Sequence, residues 1–183
     1  MYGLVNRAIH DMVLERHGAE RWEEIRTRAG VETERFLSVE TYPDRVSYDL
    51  VGAASEVLGA PPAEILRAFG RYWIPWSASH GHAAMLDMAG GDLPAFLANL
   101  DALHARIQLG FPNLDPPSFR VTDAEPGRLR LHYHSKRPGL VPFVVGILEG
   151  LGEHLEIALE VVVARTREDG HDHDELELRY GPR

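Results

Sequence analysis

The chain contains no cysteine, which excludes disulfide scaffolds, thiol nucleophiles, iron–sulfur clusters and thiolate zinc sites. No apolar run approaches the ~20 residues that a membrane-spanning helix needs, and the N-terminus lacks a signal peptide's apolar core. Basic residues are outnumbered: 19 Lys and Arg against 28 Asp and Glu leave a net charge of −9. That sign is opposite to a nucleic-acid footprint or a polybasic membrane anchor. Internal repeats, low-complexity tracts and linkers are also missing. These absences lead to the expectation of a cytoplasmic protein that binds neither nucleic acid nor membrane. What is present is 183 residues, 44% hydrophobic and 26% charged, enough for a single domain with a substantial core. Ten histidines are many for this length, and their positions carry the argument.

Apolar spacing of three to four residues predicts helices through the first two-thirds. Leu4, Ala8, Ile9, Met12 and Val13 form one stripe ahead of Gly18, and Trp22, Ile25 and Ala29 continue it to Gly30. A second helix opens at Asp44, with Tyr48, Val51, Ala54 and Leu58 on one face, and closes at Gly59. Pro61-Pro62 opens another, with Ile65, Leu66, Phe69 and Trp73 inward, and Pro75 is expected to break it. Asp92 is an N-cap for a long helix from Leu93 to Leu109, which Gly110 terminates. The last third changes period. Phe119–Thr122 and Arg128–Ser135 flank Glu125-Pro126-Gly127, and Leu155–Ala164 and Glu175–Tyr180 flank a polar stretch, with a helix over Val141–His154 between the pairs. The fold class is α+β: helices first, then an antiparallel sheet with one inserted helix.

Two features carry chemistry. On the Leu93–Leu109 helix, His104 shares a stripe with Leu93, Phe96, Leu97, Leu100, Leu103 and Ile107, so its imidazole points toward the core. It is either a neutral core histidine bonded to a carbonyl or a metal or haem ligand. On the second strand, period two groups Leu129, Leu131, Tyr133, Ser135 and Arg137 on one face, and Arg130, His132, His134 and Lys136 on a face read as solvent. Tyr133, Ser135 and Arg137 make a row of donors able to grip a carboxylate or phosphate, Arg bidentately. An apolar cofactor with two carboxylates fits a pocket lined by His104 and this row, and haem has that shape.

With these residues in place the chain resembles the H-NOX family, haem-binding domains that sense nitric oxide or oxygen and include the sensor region of soluble guanylate cyclase. The family's Tyr-x-Ser-x-Arg motif stands here as Tyr133, Ser135 and Arg137, which the resemblance makes the holders of the haem propionates. It makes His104 the axial iron ligand. Thirteen residues on, Pro117 matches the proline that presses on the porphyrin. The resemblance covers essentially the whole chain. It implies one domain over residues 1–183, with a distal helical lobe to about residue 60, a proximal helix-and-sheet lobe from about residue 61, and haem b between them.

Oxygen-binding members carry a distal Tyr on the helix after this motif. Here that helix reads Leu140-Val141-Pro142-Phe143-Val144-Val145-Gly146-Ile147-Leu148, and Ile9 and Trp73 stand near the places of the other members of that hydrogen-bond network. The resemblance therefore implies a sensor of nitric oxide that also takes carbon monoxide, without catalytic output. It would signal in trans, to a histidine kinase or a cyclic-di-GMP enzyme, by release of the proximal His and movement of haem and lobes. The alternatives are an oxygen-binding member, for which the Trp73 N–H would be the donor, or a haem carrier, which tightness of haem retention would distinguish. Several relatives have a Cys-rich zinc site near the C-terminus, which this chain cannot build. Its remnant, His171, Asp172, His173 and Asp174, reads as a polar hairpin loop, or as a weak metal site of the kind a metal-dependent hydrolase would need.

Overall fold

The computed structural model describes all residues, Met1–Arg183, and the chain divides into two compact units, Met1–Phe69 and Gly70–Arg183. In the first, α1 (Gly3–Arg28) and α2 (Asp44–Leu58) pack together, and α3 begins at Pro62. The two predicted N-terminal stripes join in α1 across a kink at Gly18, whose φ of 82° suits glycine. Ile9, Met12, Val13 and Ile25 of α1 and Leu50 of α2 are buried, as their helical spacing requires. Gly59 closes α2 in the left-handed conformation with φ 68°. Between the helices, Ser47 Oγ donates to Asn6 Oδ1 at 2.5 Å, with both side chains buried.

The second unit holds the remainder of α3 (Pro62–Ser77), a π-helical turn over Ala78–His82, then α4 (Ala83–Ala89), α5 (Leu93–Ala98) and α6 (Leu100–Gly110). These are followed by β1 (Ser118–Glu125), β2 (Arg128–His134), α7 (Val141–His154), β3 (Ile157–Arg165) and β4 (Asp174–Pro182). The sheet is antiparallel in the order β1-β2-β4-β3, so β2 and β4 are central. The α+β class read from the sequence is the observed one. A core forms where Leu129, Leu131 and Tyr133 of β2 and Leu176 and Leu178 of β4 meet Val144, Leu148 and Leu151 of α7 and Leu93, Phe96 and Leu97 of α5.

Three expectations need correction. Pro75 does not break α3, which runs through it to Ser77. Proline has no N–H for the carbonyl of Arg71, and that carbonyl instead faces Gly150 of α7, where a Cβ would stand 2.8 Å from the oxygen. The Leu93–Leu109 helix is two helices jointed at Asn99, whose side chain donates to the Ala89 carbonyl at 2.9 Å, ten residues back along the chain. Asp92 does cap α5, accepting from Ala95 N–H at 2.8 Å. Third, the outer face of β2 is not simply solvent. His132 is buried, and Arg130 donates to Glu175 at 2.9 Å and to Glu177 at 3.3 Å on β4.

Candidate functional site

Asp101, in the first turn of α6, fixes that helix to the start of β1. Its carboxylate accepts from Ser118 Oγ at 2.6 Å and from Phe119 N–H at 2.8 Å. One turn further on, the His104 ring lies 6.0 Å from that of Phe119, centroid to centroid. Phe119 is paired with Tyr133 across the β1–β2 ladder, with ring centroids 5.3 Å apart. The imidazole and the phenol, distant in sequence, thus pack against the same phenyl ring, and Tyr133 is buried there.

The electrostatics of His104 are those of a neutral ring. Burial pushes its pKa below the ordinary histidine value, while the Asp101 carboxylate and the Pro117 carbonyl act in the opposite sense. Nδ1 is enclosed and makes no hydrogen bond. An enclosed polar atom without a partner costs about 1–3 kcal/mol, so a simply structural histidine would be expected to bond a carbonyl through it. The Pro117 carbonyl is hydrogen-bonded to the ring, yet Nδ1 stays enclosed and unsatisfied, so the ring is only in part the carbonyl-bonded core histidine of the plainer reading. A neutral imidazole on a helix, in apolar and aromatic surroundings, fits the requirement for an axial haem ligand.

The donor row is only partly a strand face. β2 ends at His134, because its neighbours begin opposite its last residues: β1 at Ser118, paired with His134, and β4 at Asp174, paired with Tyr133. Beyond that point Ser135 turns the chain, its Oγ accepting from Arg137 N–H at 3.1 Å, a local bond that serine favours. Arg137 donates from Nη1 to the Asp115 carbonyl at 2.7 Å, so it is tied to the Phe111–Pro117 segment. Pro117 ends that segment immediately before β1, half-buried. Trp73 lies in the last turns of α3 with its ring 6.3 Å from Phe143 of α7. Ile9 is buried in α1 of the first unit. A cavity of about 430 Å³ between the start of α5 and the β3–β4 pair, bordered by Leu93, Ile157 and Tyr180, involves none of these residues.

The run His171–Asp174 does not converge. His171 is exposed, and Asp174 turns inward to accept from Arg167 N–H at 2.8 Å. Only His173 faces other ligating groups, and these are His132 and Glu175. The sequence shows that each strand alternates, but not which residue of β4 lies opposite His132. The grouping is therefore visible only once the β2–β4 register is known.

Comparison with solved structures gives the class first. An H-NOX protein from S. oneidensis in the Fe(II)NO ligation state superposes with a TM-score of 0.89 over 99% of both chains at 20% identity. The Fe(II) unliganded H-NOX protein from K. algicida gives 0.86 over 100% of this chain and 98% of its own, also at 20% identity. The α+β fold is thus the H-NOX fold. The model of the Haem-NO-binding family matches residues 2–163, and the chain belongs to that family of haem-binding, gas-sensing domains. Soluble guanylate cyclase gcy-34 of Caenorhabditis elegans is 32% identical over 177 residues, covering 93% of this chain and 26% of the cyclase. Guanylate cyclase soluble subunit beta-2 of Rattus norvegicus is 36% identical over 115 residues, 58% of this chain and 17% of the subunit. The chain spans about a quarter, or less, of the length of these relatives. No helix is long and apolar enough to cross a membrane.

Proposed function

We propose that this chain is a haem-based nitric oxide sensor in which His104 would hold the iron of haem b. The observation that carries the reading is the half-buried His104 imidazole beside Phe119, with its Nδ1 enclosed and free of any hydrogen bond. Tyr133 and Arg137, with Ser135 between them, would hold the propionates, and Pro117 would bear on the porphyrin; Ile9 and Trp73 would line the gas side. Haem, when bound, supplies a ferrous iron that takes nitric oxide and carbon monoxide.

The remaining steps belong to the protein. Burial keeps His104 neutral and so competent as a ligand, and Asp101 sets the position of its helix by gripping Ser118 and Phe119. α7 offers an apolar surface without a tyrosine, and Phe143 stands against Trp73. Oxygen, which needs a hydrogen-bond donor, is disfavoured there relative to nitric oxide. The Asp101 carboxylate ties α6, which carries His104, to Ser118 and Phe119 at the start of β1, so a change at His104 would be passed to the edge of the sheet through that link. In the cytoplasm the change would be read by a partner protein, by resemblance a histidine kinase or a cyclic-di-GMP enzyme.

The test is absorption spectroscopy on anaerobic, reduced protein before and after nitric oxide, carbon monoxide and air, with His104→Gly in parallel. The wild type should hold haem, respond to both gases and form no stable oxygen complex. The variant should hold haem only when free imidazole is added. A wild-type haem spectrum in His104→Gly without imidazole would overturn the ligand assignment. A stable oxygen complex would overturn the selectivity and make Trp73 the donor to mutate.

A further inference from the structure

On the outer face of the sheet, β2 and β4 set His132 directly opposite Glu175, and the turn leading into β4 carries His173 over the same spot. His132 Nδ1 lies 2.7 Å from His173 Nε2, and Glu175 Oε1 lies 3.9 Å from the first and 3.6 Å from the second. His132 and Glu175 are only 8% and 7% exposed. Each group is also oriented from behind. Thr122 Oγ1 is 2.8 Å from His132 Nε2, and Asp172 Oδ1 is 2.7 Å from His173 Nδ1. Arg130 Nη1 donates to Glu175 Oε2 at 2.9 Å, which leaves Oε1 turned toward the two rings.

We propose that His132, His173 and Glu175 form a binding site for one divalent transition-metal ion of the zinc type, separate from the haem site and independent of it. Two imidazoles and a carboxylate are the ligand set of imidazole-preferring metals, whereas calcium and magnesium take oxygen. Ligand atoms ~2.05 Å from a tetrahedral ion are about 3.3 Å apart. The observed separations bracket that value, so each must change by roughly 0.6 Å or less to close the site.

The proton inventory also works. In the metal-free state one imidazole N–H bridges the two facing nitrogens. With metal bound, His173 carries its proton on Nδ1, where Asp172 accepts it, and His132 carries its proton on Nε2, where Thr122 Oγ1 accepts it. Both acceptors are already in place, in the arrangement typical of outer partners that fix a ligating histidine. The competitor is Arg165, whose Nη1 is 3.7 Å from Glu175 Oε1; it is half exposed and free to swing toward water. A fourth position is left for water. Bound metal would pin the β3–β4 hairpin to β2.

The experiment uses the tag-free full chain, stripped with chelator and titrated with zinc. One equivalent should survive gel filtration. His132→Asn, His173→Asn and Glu175→Gln should each lose it, Asp172→Asn should weaken it about tenfold or more, and His171→Asn should leave it unchanged. Substoichiometric binding by the wild type, or retention in all three ligand variants, would overturn the proposal. Should the variants fail to fold, X-ray absorption at the zinc edge of the wild type decides the matter without interference from haem. Four nitrogen and oxygen neighbours at about 2.0–2.1 Å, two of them imidazole, support the site, and any other coordination refutes it.

Discussion

Replacing Gly70 with alanine should destabilise the protein sharply, for a reason that can be worked from the helix contact. Gly70 sits where α3 meets α7. A Cβ there would lie 2.2 Å from the Phe143 carbonyl oxygen, 2.7 Å from Ile147 N and 2.9 Å from the Gly146 carbonyl carbon. All three atoms are backbone, so no side chain can rotate away, and relief requires the helices to part by about 1 Å. A gap of that size forfeits roughly a quarter to a half of each dispersion contact across it. The contacts at risk include Trp73 on Phe143 and Ile74 on Gly150. Gly70→Ala should therefore cost about 3 kcal/mol, the upper part of the usual overpacking range, and lower Tm by roughly 6–12 °C in a chain of this size. Gly52 in α2 provides the opposite case, since a Cβ added there would meet nothing within 4 Å. Alanine there should stabilise by about 0.5–1 kcal/mol through the unfolded chain. Urea and thermal unfolding followed by circular dichroism would measure both. A Gly70→Ala variant within about 0.5 kcal/mol of wild type, well below the overpacking cost, would refute the contact argument, as would the two variants shifting in the same direction.

Leu131→Ala, at a fully buried position of β2, should cost about 2–5 kcal/mol in the same urea assay. Ser47→Ala would leave the buried Asn6 carbonyl oxygen without its donor and should cost about 1–3 kcal/mol; a neutral result would show that water or another group replaces the hydroxyl. Arg137→Ala should keep the fold but speed haem transfer to a haem-scavenging globin about tenfold or more, the equivalent of one charge-assisted hydrogen bond. An unchanged transfer rate would remove Arg137 from the propionate site.

Local signals in the sequence were reliable where one residue type decides the backbone. Gly59 ends α2, Asp92 caps α5, and the apolar run after Pro138-Gly139 gives α7 its observed limits. Errors arose where tertiary packing overrides a local signal. Pro75 reads as a break, but the carbonyl that it leaves without an N–H is covered by Gly150, far along the chain. Asn99 divides a helix whose apolar stripe runs unbroken through it. The candidate site divides in the same way. The convergence of His104 and Tyr133 follows from two periodicities, one helical and one strand-like, that both point into the core. The His132–His173–Glu175 group depends on which residues of β4 lie beside β2, and no property of either strand alone specifies that. Ser135 and Arg137 continue the alternation on paper, but the neighbouring strands stop short of them and the chain turns.

Strand β2 is committed on both of its sides. Its odd-numbered residues Leu129, Leu131 and Tyr133 point into the core and its even-numbered Arg130 and His132 outward, so inserting or deleting one residue within it would exchange the two sets. The phenol would then be stranded in water and an arginine driven among leucines, while the three-residue cluster lost a member. Length variation is thus closed to this strand twice over. The tip of the β3–β4 hairpin, around Glu168 to His171, is exposed and outside both strands, so chain length there can vary without exchanging the two sides of the sheet.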